Sequence, residues 1–89
     1  MRSSQLLKVI SETQLQDIVK ELTRLASEKQ PSYLYVSADT EIGPLRMVLN
    51  AAQLSLYIEL EQSGNVICGN QALEAMKARS MTNAKIWLM

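Results

Sequence analysis

The sequence contains no histidine and no phenylalanine, and it has a single cysteine, three glycines and two prolines. Without histidine, the chain lacks the imidazole base of serine and cysteine hydrolases and the commonest protein ligand of zinc. Cys68 stands alone, so it forms neither an intramolecular disulfide nor a CxxC site, which is typical of a reduced cytoplasmic protein. The glycines do not form a GxGxxG motif or a P-loop. We therefore expect a protein that is not an enzyme and has no catalytic residues, metal or cofactor.

The charges are balanced, since nine basic and nine acidic residues give a formal net charge of +0. Such a chain has no long-range field that attracts nucleic acid or an acidic membrane, so nucleic acid is a less favoured partner and a membrane is not expected. No apolar run approaches the roughly 18 residues of a membrane-spanning helix. The start, MRSSQLLKVI, has too short an apolar run for a secretory signal. We expect one cytoplasmic domain spanning residues 1–89.

An amphipathic helix is predicted in the first third of the chain. Ser11 and Gln14 have the spacing of a capping box, and Pro31 ends the segment. The apolar residues that follow Ser11 recur at helical spacing: Leu15, Ile18, Val19, Leu22, Leu25 and Ala26. The pattern predicts a helix over 12–29. The residues before Ser11 fall off this stripe and form a separate short strand or a lead-in turn.

Alternating apolar residues predict a hairpin with strands at 32–38 and 44–49. Its core candidates are Leu34, Val36, Leu45, Met47 and Leu49. The next segment, 50–62, is ambiguous: its period of two favours a strand at 54–61 paired with 65–68, whereas Asn50 would suit the cap of a helix starting at Ala51. A helix is predicted over 70–79, and the tail 84–89 is a closing strand or an anchor.

These elements predict the α+β class, with an N-terminal amphipathic helix packed on a small antiparallel sheet and a second short helix near the C-terminus. One helix covers one face of a sheet. We therefore expect a homodimer that buries the other face.

Three tyrosines are the candidate partner-binding residues. Tyr33, Tyr35 and Tyr57 fall on the strand positions opposite the predicted core, and aromatic side chains are enriched in protein interfaces. Tyrosine is also common in strands for structural reasons alone. We expect the partner to be another protein.

Two carboxylate pairs offer a different kind of site. Asp39 with Glu41, and Glu59 with Glu61, each fall on one face of a strand, where they would suit acid–base chemistry or a bound cation. A solvated strand face and a polar turn explain both pairs more simply, and an unaltered activity after alanine substitution would remove the chemical interpretation.

Residues 8–60 resemble the prevent-host-death (Phd/YefM) type of antitoxin. The similar segments are Lys8-Val9-Ile10-Ser11, the helical stripe Leu15 to Ala26, Gln30-Pro31, Gly43 to Leu49, and Leu56-Tyr57. The resemblance implies a dimeric N-terminal half that binds operator DNA, a C-terminal segment, 70–89, that wraps a toxin, and a helix within 51–61. It assigns DNA contacts to Arg2, Lys8, Thr13, Lys20 and Arg24. The hairpin turn differs from the family because it is longer and carries acidic Asp39 and Glu41.

Two functions follow from these patterns. The first is a small non-enzymatic protein–protein interaction module, such as an adaptor, inhibitor or chaperone-like regulator of bacterial or phage type. The alternative is an antitoxin that binds operator DNA and a toxin. A strand at 54–61 favours the first function, and a helix there favours the second.

Overall fold

The computed structural model describes residues 5–29 and 32–89, which form six strands and two helices. In chain order the elements are β1 (Gln5–Gln14), α1 (Leu15–Lys29), β2 (Tyr33–Thr40), β3 (Pro44–Asn50), β4 (Ser55–Gln62), β5 (Asn65–Cys68), α2 (Asn70–Met76) and β6 (Ser80–Leu88).

All six strands belong to one antiparallel sheet with the order β1-β6-β2-β3-β4-β5. Strands β2 to β5 are consecutive hairpins. The last strand enters between β1 and β2, so the C-terminal segment lies inside the sheet and not at its edge. Strand β6 has one extra residue relative to β2, and this residue lies between the pairs Ser37–Lys85 and Asp39–Thr82. Asn83 lies in this β-bulge with φ 51°, a conformation that asparagine tolerates better than most residues.

Both helices cover the same face of the sheet. Ile18, Leu22 and Leu25 of α1 and Ala72 and Met76 of α2 join the strand side chains of one face in a single core cluster. All five core candidates from the predicted hairpin are buried there, which confirms them. The helical stripe is also confirmed, since its remaining members pack against this cluster.

The predicted fold class is wrong about the N-terminus and about the size of the sheet. No N-terminal helix is present in the described residues: the chain enters through β1, α1 follows it, and most of the described residues are strand. Glu12, Thr13 and Gln14, which the capping pattern placed in the helix or its cap, pair with Thr82, Met81 and Ser80 of β6. A local cap signal cannot reveal a partner strand about seventy residues away. Here the pairing with β6 outweighs the local preference for a helix.

The ambiguous segment is a strand. Residues 51–54 form a turn, β4 pairs with β3 from Ser55 to Leu60, and its far end pairs with β5 as predicted. The predicted helix over 70–79 is shorter, and the predicted closing strand is longer because it starts at Ser80.

Candidate functional site

The sheet face opposite the helices carries a row of large apolar side chains that crosses five adjacent strands. The register pairs Leu6 with Trp87, Trp87 with Tyr35, Tyr35 with Val48, and Val48 with Tyr57. Facing pairs in an antiparallel sheet lie about 5 Å apart, so the row is continuous over roughly 19 Å. We call the side of the sheet that carries it the open face and these five residues the apolar row.

The apolar row is accessible to solvent. Leu6 is 44% exposed and Tyr57 50% exposed at its two ends, while Trp87, Tyr35 and Val48 in the middle are half-buried. Tyr33, two residues before Tyr35 on the same strand, is 45% exposed and extends the apolar surface. Monomeric proteins seldom expose contiguous apolar surface of this kind without a binding role.

A charged row runs beside the apolar row. The register aligns Lys85 with Ser37, Ser37 with Arg46, and Arg46 with Glu59. Arg46 Nη1 lies 3.4 Å from Glu59 Oε2, and the Tyr57 hydroxyl donates a hydrogen bond of 2.9 Å to Glu59 Oε1. That bond to a carboxylate, together with some desolvation, raises the pKa of Tyr57 above its ordinary value of 10.0. Glu59 therefore connects the charged row to the apolar row.

The structure brings the three predicted tyrosines onto one surface. Tyr35 and Tyr57 are separated by Val48 alone in the row, and Tyr33 lies next to them on β2. The sequence prediction missed Trp87, because the pattern of the tail did not show that it pairs with the middle of the sheet. A detectable signal was the period of two in the tail, where Ala84, Ile86 and Leu88 alternate with Lys85 and Trp87.

Two of the five residues that the antitoxin resemblance assigned to DNA, Lys8 and Arg24, are paired with carboxylates. Lys8 Nζ lies 3.1 Å from Glu21, and Arg24 pairs with both Glu21 and Glu28, so two basic and two acidic residues neutralise one another. The Thr13 hydroxyl donates to the backbone carbonyl of Gln14 at 3.4 Å.

Two members of that set remain. Lys20 is exposed on α1 without an ion pair among the described residues, and Arg2 lies outside the described residues.

Three of the four candidate carboxylates have structural partners, and Glu61 has no ion pair among the described residues. Glu41 pairs with Arg79, Asp39 accepts a 3.4 Å hydrogen bond from the amide of Asn83, and Glu59 is held by Arg46 and Tyr57. In residues 5–29 and 32–89 no three carboxylate or thiol side chains are grouped as metal ligands. Within the same residues, no helix is long and apolar enough to cross a membrane.

The sequence matches no family model, and neither a curated protein nor a solved structure shows significant similarity to it.

Proposed function

We propose that the protein is a non-enzymatic protein–protein interaction module whose binding surface is the open face. The observation that supports this proposal is the apolar row, five aligned side chains that remain partly exposed while the two helices cover the opposite face. Aromatic side chains supply large contact area with few rotatable bonds, and they dominate binding energy at protein interfaces.

The charges beside the apolar row favour a protein over a nucleic acid. Aromatic residues on an open sheet also suit base stacking, but nucleic-acid binding sheets add a positive field that follows the phosphates. Here the strand positions on the open face carry basic Lys85 and Arg46 against acidic Asp39, Glu59 and Glu61. A face with no positive excess does not gain affinity from counterion release.

The antitoxin alternative has less support. It requires a helix within residues 51–61, where the structure has a turn followed by β4. It also requires basic side chains that are free to contact phosphates, whereas Lys8 and Arg24 are paired with Glu21. The resemblance therefore remains a prediction, and retardation of operator DNA is its direct test.

Site-specific photo-crosslinking in the cells that produce the protein tests the proposed function. A benzophenone amino acid replaces Tyr57 at one end of the apolar row, and a matched control places it at Lys20 on the exposed side of α1. We expect one discrete protein adduct from position 57, none from position 20, and loss of the adduct when Val48→Glu is added. A nuclease-sensitive adduct, or equal labelling from both positions, would overturn the proposal.

A further inference from the structure

We infer that the occupant of the open face is a second copy of this chain, bound face to face about a two-fold axis that runs parallel to the strands between β2 and β3. This inference rests on the proposed function, because it takes the open face as the binding surface and names the partner. It predicts a sandwich of two six-stranded sheets with one helical layer on each outer side.

The size of the face matches what a stable dimer needs. The six strands span five spacings of about 4.8 Å, and they average about seven paired residues at about 3.4 Å, although β5 pairs through four residues. The flat area is therefore roughly 600 Å² per copy. Two copies would bury roughly 1,200 Å², the lower bound for specific stable interfaces. Side chains that project from the face add to this flat estimate. A single peptide strand or helix would leave much of the apolar row exposed.

The charged row is self-complementary about this axis. The strand order places β6 and β4 at equal distances on either side of the β2–β3 midline. A two-fold rotation about that line puts Lys85 of one copy over Glu59 of the second copy, and the same pair forms again on the other side. Lys85 has no ion-pair partner among the residues that the structure describes, so the second copy supplies the carboxylate it lacks.

The same rotation matches the apolar row to itself. Trp87 meets Tyr57 of the second copy and Tyr35 meets Val48, so four of the five members of the row face an apolar side chain. Leu6 on β1 falls over β5, which carries no member of the row. Aligned sheets pack about 10 Å apart at about −30°, which displaces facing residues on β6 and β4 by about one residue spacing. The long side chains of Lys85 and Glu59 span such a displacement. The apolar row then forms the centre of the interface and the charged row part of its rim.

A charge-exchange experiment tests this arrangement by light scattering and sedimentation. We expect wild type at micromolar concentration to have the mass of two chains. Lys85→Glu and Glu59→Lys should each weaken self-association about tenfold or more, because each places like charges opposite one another. An equimolar mixture of the two variants should restore the dimer, since both facing pairs are then of opposite sign. The matched control Lys20→Glu, with the same charge change on α1, should dimerise like wild type.

Two outcomes would overturn the inference: a wild-type mass of one chain, or single variants that dimerise as tightly as wild type. The Glu59→Lys variant fails as a test if the new positive charge next to Arg46 prevents folding. In that case the wild-type protein is diluted and its fluorescence is followed, because Trp87 is the single tryptophan. Its emission should shift to the red on dilution from the dimer, and constant emission with a one-chain mass would contradict the inference. A one-chain mass together with crosslinking of another protein from position 57 would reject the dimer and retain the proposed function.

Discussion

The helix-covered face and the open face of the sheet both carry apolar side chains, but the helices shield those of the covered face alone. On β3, Met47 is fully buried beneath the helices while the adjacent Val48 remains half-buried on the open face. On β2, buried Val36 alternates in the same way with half-buried Tyr35. Apolar character on a strand therefore does not by itself decide burial. Burial depends on whether a second layer packs against the face, as the two helices do on the covered face.

The largest expected effect comes from truncation to alanine at adjacent residues on the two faces. Met47→Ala should lower the free energy of unfolding by about 2–5 kcal/mol, because it removes the γ-methylene, the sulfur and the terminal methyl group from a packed core. Val48→Ala should cost about 0.5 kcal/mol or less when measured by urea unfolding at a concentration low enough to keep the chain monomeric. The conservative Met47→Leu, expected to cost less than about 1.5 kcal/mol, controls for the shape of the site. Similar losses from Met47→Ala and Val48→Ala would show that the two faces do not differ in cover.

A smaller effect is expected at the β2–β3 turn, which lies at the end of the sheet outside both faces. The Thr40 hydroxyl oxygen accepts hydrogen bonds from the backbone N–H groups of Ile42 and Gly43, at 3.1 and 3.0 Å. A Cβ atom on Gly43 would lie 2.1 Å from the backbone carbonyl oxygen of Glu61 on β4. This contact explains why glycine occupies the position.

Gly43→Ala should therefore destabilise the protein by about 1–3 kcal/mol, since backbone must move to admit the methyl group. Thermal unfolding followed by circular dichroism measures the loss. Glu41→Ala, at an exposed position of the same turn, removes the surface ion pair to Arg79 and should cost less than about 1 kcal/mol. A Gly43→Ala protein as stable as wild type would mean that the turn can retreat from β4, and that the end of the sheet is looser than its covered face.

Local sequence patterns predicted the helix and the apolar core of the covered face. The stripe from Leu15 to Ala26 and the alternation through Leu34 and Met47 identified the helix and the core correctly, because burial against a neighbour imposes those periods directly. The tyrosines were placed on the opposite side of the strands for the same reason. What local patterns could not supply was the order of the strands. The position of β6 between β1 and β2 changes Ser11–Gln14 from helix cap to strand, and it adds Trp87 to the apolar row.

The smallest expected effect concerns the ion-pair cluster beside the covered face, where Glu21 of α1 contacts Lys8 of β1 and Arg24. The hydrogen bond from Arg24 to the Glu21 carboxylate, reinforced by Lys8 and opposed by desolvation, lowers the pKa of Glu21 below its ordinary value of 4.5. A lowered folded-state pKa stabilises the fold above pH 4.5, and that stabilisation is lost as the pH falls through the lowered pKa.

Glu21→Gln should therefore reduce the free energy of unfolding at pH 7 by about 0.5 kcal/mol, the scale of an exposed ion pair, and the difference from wild type should vanish in acid. Urea midpoints measured at pH 7 and at pH 3 or below provide the comparison. Lys20→Gln is the control, because it removes an exposed charge from the same helix and introduces no group that titrates in acid. A deficit in Glu21→Gln that persists unchanged at low pH would assign the stabilisation to the shape and packing of the side chain. In that case the apolar stripe of α1 alone would hold the helix on the covered face, and the Glu21 ion pairs would not contribute to its stability.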